Sequence, residues 1–191
     1  NAARPVGMAS IIGLDSDAVA QLCEEATRST LDRVDVANHN LDTQTVISGD
    51  VSALERAMER AKELQGRVIR LKVKVSSHTP LHAEQAYEFA LHIDEIPLVD
   101  PIRPIISNIT SNELRTAEEL RQEFGAQLRS PVYWADNVRE MARHDDGAIQ
   151  VGHDHVARID RHAADADRRL DLDRMKVGHA RRRGGRRAID R

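Results

Sequence analysis

The imidazole of His78 stands in Val75-Ser76-Ser77-His78-Thr79-Pro80-Leu81, where an apolar alternation gives way to a segment that Pro80 can open as a helix. α/β enzymes present catalytic groups at such strand-to-helix junctions, since a loop on the rim of a rigid sheet exposes a side chain without unpairing backbone. An imidazole placed there can take a proton from a hydroxyl and return it to a leaving group. Spacing alone leaves that reading level with a hydrogen-bonded structural histidine. Two other groupings invite a metal. His153-Asp154-His155 with His162 has His-x-His spacing, and His78 and His82 are four apart. The first lies in a stretch with little apolar residue to close a site, and Pro80 interrupts the second, so neither is read as a metal centre. No Gly-x-Ser-x-Gly occurs in the sequence, so no nucleophile elbow is offered.

A histidine acts only if a fold holds it, and the periodicity outlines one. Residues 8–14 (MASIIGL) are an apolar run closed by Gly13, as a buried strand requires. Asp15 and Ser16 offer N-caps to a helix from 17 to about 28, in which Ala18, Val19, Leu22, Cys23 and Ala26 recur at helical spacing. β-Branched runs at 34–37 and 45–48 flank the Asn/Asp-rich stretch 38–43, which reads as a hairpin loop. A second helix over 51–64, closed by Gly66, and an alternating strand over 68–73 complete a β-α-β-β-α-β order. That is the split βαβ pattern of a ferredoxin-like unit. Beyond it, helices are expected over 80–94 and 117–128, with a third from Pro131 to 141. Strands at 73–77, 104–107 and 148–151 read as pieces of a larger parallel sheet. The class is α/β with an α+β small unit. Met58, Phe89, Phe124 and Trp134 read as core filling.

Composition narrows the setting. With 40% hydrophobic and 31% charged residues the chain is ordinary for a globular protein, and no window is long and apolar enough to span a bilayer. No secretory leader opens it, the first residue is not Met, and the single cysteine, Cys23, excludes a disulfide framework; a reducing, cytoplasmic setting is expected. The net charge of −3 hides two parts of opposite sign, with residues 1–152 acidic and 153–191 basic. The latter ends in Arg181-Arg182-Arg183-Gly184-Gly185-Arg186-Arg187 but has no aromatic residue for stacking, and its Asp content offsets much of the charge. Nucleic acid is not the expected partner.

Five blocks now resemble one family. Gly7-Met8-Ala9-Ser10-Ile11-Ile12-Gly13-Leu14, Ala37-Asn38-His39-Asn40 with Gln44-Thr45-Val46-Ile47-Ser48-Gly49, Ser77-His78-Thr79-Pro80-Leu81, Pro104-Ile105-Ile106-Ser107-Asn108-Ile109-Thr110 and Ser130-Pro131-Val132-Tyr133-Trp134 are similar, in order and spacing, to blocks of malonyl-CoA:acyl carrier protein transacylase. Acyltransferase domains of polyketide synthases share them. The resemblance implies a ferredoxin-like small subdomain (1–73) and the carboxy-terminal part of an α/β-hydrolase-like large subdomain (74–152). It also implies a ping-pong transfer of malonyl from coenzyme A through a serine to the phosphopantetheine thiol of the carrier protein. His78 matches the catalytic base and Asn108 the position whose backbone carbonyl orients it. Asn40 and Gln44 match a block bordering the substrate cleft, and Ser77 sits where polyketide relatives vary with extender unit. Malonyl-CoA and acyl carrier protein are the implied partners; no resident cofactor is implied, coenzyme A entering as the substrate thioester.

Departures from the family count as much as matches. The GHSxG nucleophile motif, the glutamine motif of the oxyanion hole and the arginine that pairs with the malonyl carboxylate all precede, in the family, the block that begins here at Gly7. The chain reads as a carboxy-terminal part, inactive as given. After Gly152 the likeness stops, and 153–191 reads as a disordered or frameshifted tail. The alternative is a non-catalytic module that binds a carrier protein or another chain.

Overall fold

A computed structural model describes residues 4–143, 148–151 and 155–158, the last two segments as backbone only. The chain divides into two units, residues 1–140 and 141–191.

In the first unit, β1 (Val6–Ile12) is the centre of a four-stranded antiparallel sheet. It pairs on one side with β3 (Gln44–Asp50), with Ala9 opposite Ile47, and on the other with β4 (Arg67–Arg70). β2 (Val34–Leu41) lies outside β3, giving the order β2-β3-β1-β4 of a ferredoxin-like sheet, as the sequence pattern leads one to expect. Helices α1 (Ser16–Ala26) and α2 (Val51–Glu63) cover one face. Asp15 caps α1 by accepting from the Ala18 N–H at 2.7 Å. Period-two residues Ala9, Ile11 and Ile47 meet the period-3.6 residues Val19, Leu22, Leu54, Ala57 and Ala61, all buried in one cluster. The opposite face carries a smaller cluster of Met8, Ala37 and Val46, with Leu71 against it.

Several expectations are corrected. The loop foreseen over 38–43 shrinks to Asp42-Thr43, because β2 carries its polar residues outward through register shifts at Ala37 and Asn40. β4 ends at Arg70, and 71–79 has no strand; beyond the bond from the Leu71 N–H to the Met8 carbonyl, 2.9 Å, no neighbouring strand continues the ladder among the described residues. The expected parallel pieces are local antiparallel pairs. β5 (Ile105–Ile106) pairs with β6 (Glu113–Leu114), and in the second unit β7 (Ala148–Val151) pairs with β8 (His155–Arg158). Short runs close onto the nearest chain segment. β8 places strand where a tail was expected; the rest of that expectation, and His162, lie outside the described residues.

A 3-10 turn (Pro80–His82) leads into α3 (Ala83–Asp94), and α4 (Ala117–Gln127) begins at a Thr116–Glu119 capping box. Gly125 lets α4 approach α3, since a β-carbon there would lie 3.2 Å from Ala90 Cβ. α5 (Trp134–Met141) starts three residues later than Pro131 suggests, because Val132 is held in an extended ladder. Phe89 and Phe124 are exposed, not core filling, as nothing described covers that face of α3 and α4.

Gly49 is the tightest point of the sheet. A β-carbon on it would lie 2.3 Å from the Arg33 carbonyl oxygen, whereas one on Gly13 would meet nothing within 4 Å. Gly49→Ala is expected to cost about 1–3 kcal/mol, read by urea or thermal unfolding; stability within error of the parent would contradict this packing.

Candidate active site

Leaving β4, the chain has no ladder to follow, so its backbone is held by side chains of the small sheet. Ser77 N–H donates to Ser48 Oγ of β3 at 3.0 Å, and Ser77 Oγ lies 3.4 Å from Met8 Sδ of β1. The fully buried Thr79 donates its hydroxyl to Asp35 Oδ2 of β2 at 2.6 Å and caps the turn ahead of Pro80. Between them His78 adopts φ +55°, a left-handed backbone that a non-glycine residue keeps at a cost of about 1–2 kcal/mol. The half-buried His78 ring places Nδ1 3.1 Å from the backbone carbonyl of Gln127. A carbonyl only accepts, so Nδ1 carries the proton and Nε2 is the nitrogen that can receive one.

The carbonyl on the imidazole is thus that of Gln127, not of Asn108 as the resemblance implies. The Asn108 carbonyl instead accepts from the Tyr133 N–H at 2.8 Å, and its own N–H donates to Glu123 Oε1 at 2.9 Å, so the 107–112 turn faces it away. Gln127 carries no sequence motif. Its position could have flagged it, because the last carbonyls of a helix have no partner within the helix and Gln127 ends α4. Its side-chain Oε1 is also buried without a partner among the described residues.

The other expected site residues separate into two places. Ser77 is part of the His78 loop, which lies over the cross-strand pair Asp35–Ser48. Asn40 and Gln44 lie at the hairpin end of the same strands, five residues beyond Asp35 and four from Ser48, or about 13 Å or more further along. Asn40 falls at a register shift of β2, which frees it from strand pairing, and Gln44 opens β3 opposite Ile12. His82, far from joining His78 as a ligand pair, turns Nε2 to Ser76, 2.9 Å from both its Oγ and its carbonyl.

A strap at 131–133 ties β2 to the turn around Asn108. Val132 N–H donates to the Ala37 carbonyl at 2.9 Å, the His39 N–H donates to the Val132 carbonyl at 2.8 Å, and Tyr133 reaches on to Asn108. His39 and Tyr133 stack at 4.8 Å between centroids and 6° between planes. The buried Asn137 amide sits beneath, its nitrogen, oriented by its surroundings, 2.9 Å from the Ser107 carbonyl and 3.1 Å from that of Tyr133. Arg139 of α5 pairs with Asp42 of the hairpin.

A ferredoxin-like sheet that props a loop histidine, with Nδ1 on a backbone carbonyl, places the chain among the mixed α and β proteins. The malonyl CoA-acyl carrier protein transacylase of Haemophilus influenzae is 33% identical over 143 residues, 74% of this chain and 45% of that protein. The solved malonyl CoA-acyl carrier protein transacylase of Coxiella burnetii matches with TM-score 0.70 and 31% identity, over 75% of this chain and 45% of that one. PlMCAT:AntF, a type II PKS acyl-carrier protein in complex with its malonyl-transacylase, matches at 0.69 and 30%, over 73% and 45%. No family model matches the chain. The chain is a homologue of the malonyl CoA-acyl carrier protein transacylases, and it spans about 45% of the length of the first of these relatives.

The stack makes stability depend on pH. Burial holds the His39 imidazole below its ordinary value, against weaker opposing pulls from Asp136 and Asp17. The folded chain therefore keeps His39 neutral where the unfolded chain already binds a proton, so the stabilisation is complete above the unfolded value of about 6.5 and is lost as pH falls through the lower folded one. His39→Phe, which keeps a ring against Tyr133, is expected to flatten the fall in urea midpoint between pH 8 and pH 5.5. An unchanged slope would show that His39 is not its source.

Proposed function

We propose that the chain carries the base-bearing portion of a malonyl-transfer centre. The single observation that carries this reading is the His78–Gln127 contact, which leaves Nε2 as the proton acceptor, in a homologue of malonyl CoA-acyl carrier protein transacylases. In the proposed reaction a serine Oγ attacks the thioester carbonyl of malonyl-CoA while His78 Nε2 takes the hydroxyl proton. That proton passes to the departing coenzyme A sulfur, and malonyl is left as a serine ester. The phosphopantetheine thiol of an acyl carrier protein then attacks the ester, with His78 taking the thiol proton and returning it to the serine oxygen. Ser77 borders this acyl group, and Asn40 and Gln44 extend the cleft along β2 and β3. The setting is the cytoplasm, in keeping with a lone, buried Cys23 and with no described helix long and apolar enough to cross a membrane.

The serine has to come from a segment that these 191 residues do not contain, since no Gly-x-Ser-x-Gly is present. The exposed apolar side chains of Tyr87, Leu91, Phe124 and Leu128 on α3 and at the end of α4 are the surface such a segment would cover. By itself the chain is expected to give no malonyl carrier protein from malonyl-CoA. Co-expressed with the amino-terminal part of a homologous transacylase bearing GHSxG, it is expected to transfer malonyl, and His78→Ala is expected to lower that rate at least about 100-fold. Transfer by the chain alone, or complementation that survives His78→Ala, would refute the proposal.

A further inference from the structure

We infer that Asp35 and Thr79 act as a positioning pair that sets the ring orientation and tautomer of His78; the inference rests on His78 being the base proposed above. Four observations converge on it. His78 holds a left-handed backbone, which no side chain adopts by default, so its neighbours must fix it. On one side the fixing bond is Ser77 N–H to Ser48 Oγ, 3.0 Å, between neutral groups. On the other it is Thr79 Oγ1 to Asp35 Oδ2 at 2.6 Å, the length of a hydroxyl bonded to a carboxylate and the stronger kind of the two. Thr79 has no exposed surface, so water does not compete for its hydroxyl, while the Asp35 side chain is 19% exposed.

Asp35 is itself held. Arg33 Nε donates to Asp35 Oδ2 at 2.9 Å and Arg33 Nη2 pairs with Oδ1, a two-point grip that fixes the carboxylate plane. The backbone N–H of Arg33 donates to Asp50 Oδ2 at 2.9 Å, and Asp50 is paired with Arg4. A chain of charges therefore runs from the start of the fold, across strands β2 and β3, to the residue beside the imidazole. Thr79 stands next to His78 in sequence, so its grip on Asp35 fixes the ψ of His78 and with it where the ring can lie. If the grip is lost, Nδ1 is no longer held 3.1 Å from the Gln127 carbonyl, and the preference for protonated Nδ1 over protonated Nε2 falls. A base that presents N–H where a lone pair is needed cannot take the proton.

The test reads the ring directly. Histidine nitrogen NMR of the full 191-residue chain is expected to show His78 in the Nδ1-protonated form. Asp35→Ala and Thr79→Val are each expected to shift the tautomer ratio about five- to tenfold toward Nε2–H, while amide protection of Ile11 and Ile47 is retained. Thr79→Ser, which keeps the hydroxyl, is expected to behave as the parent. A His78 signal unchanged in either variant overturns the inference. So does a change seen only together with lost protection at Ile11 and Ile47, or one that Thr79→Ser shows equally. Because the readout is the imidazole and not turnover, a shifted tautomer alongside failed complementation would refute malonyl transfer and leave the positioning pair standing.

Discussion

The 131–133 strap and the turn around Asn108 are tied to the small sheet at an edge that cannot extend itself regularly. β2 carries register shifts at Ala37 and Asn40, and an irregular edge strand leaves carbonyls and N–H groups in search of partners. Val132 takes both positions on offer, donating to Ala37 and accepting from His39, and the two hydrogen bonds draw the 131–133 strap alongside the strand. Tyr133 extends the tie to Asn108, Asn137 closes it beneath, and α5 follows as soon as the strap is released from the ladder. The loop that offers His78, the turn around Asn108 and the hairpin carrying Asn40 and Gln44 are arranged about one sheet because their backbone groups had no other way to be satisfied.

That arrangement explains why the candidate base is a loop residue with little regular structure around it. A strand through 73–77 would have locked the imidazole to one face of a sheet by the alternation of side chains. Instead the segment is suspended between the hydroxyls of Ser48 and Thr79 and the carboxylate of Asp35, with the end of α4 supplying the acceptor for Nδ1. Strain at φ +55° is tolerated only because fixed groups on both sides over-determine it. The matched part of the chain spans about 45% of the length of the Haemophilus influenzae transacylase, and α3 and α4 leave apolar side chains exposed.

The small unit was legible in the sequence because its partners are near in the chain. Gly13, Asp15 and Gly66 mark element ends, and Leu22, Leu54, Ala57 and Ile47 recur at periods that allow only one way to bury them together. The sequence also singled out His78, Asn40 and Gln44 as candidates, as members of the family's blocks. Parallel strands at 104–107 and 148–151 were not correct, since an apolar run of four residues says that it is buried but not against what; β6 and β8, too short and polar to signal themselves, decided it.

Sequence by itself therefore determined the ferredoxin-like order and the family likeness, and it singled out His78 as the candidate base. Only the tertiary structure decided which nitrogen is free, because that depends on a carbonyl contributed by Gln127, forty-nine residues away, with no side-chain chemistry to announce it. Backbone acceptors are the same at every position, so a chain cannot advertise in its residue types which carbonyl will meet an imidazole. The Asp35–Thr79 bond and the His39–Tyr133 stack are of the same kind: common residues, far apart in sequence, that acquire a role from the distance at which the fold sets them.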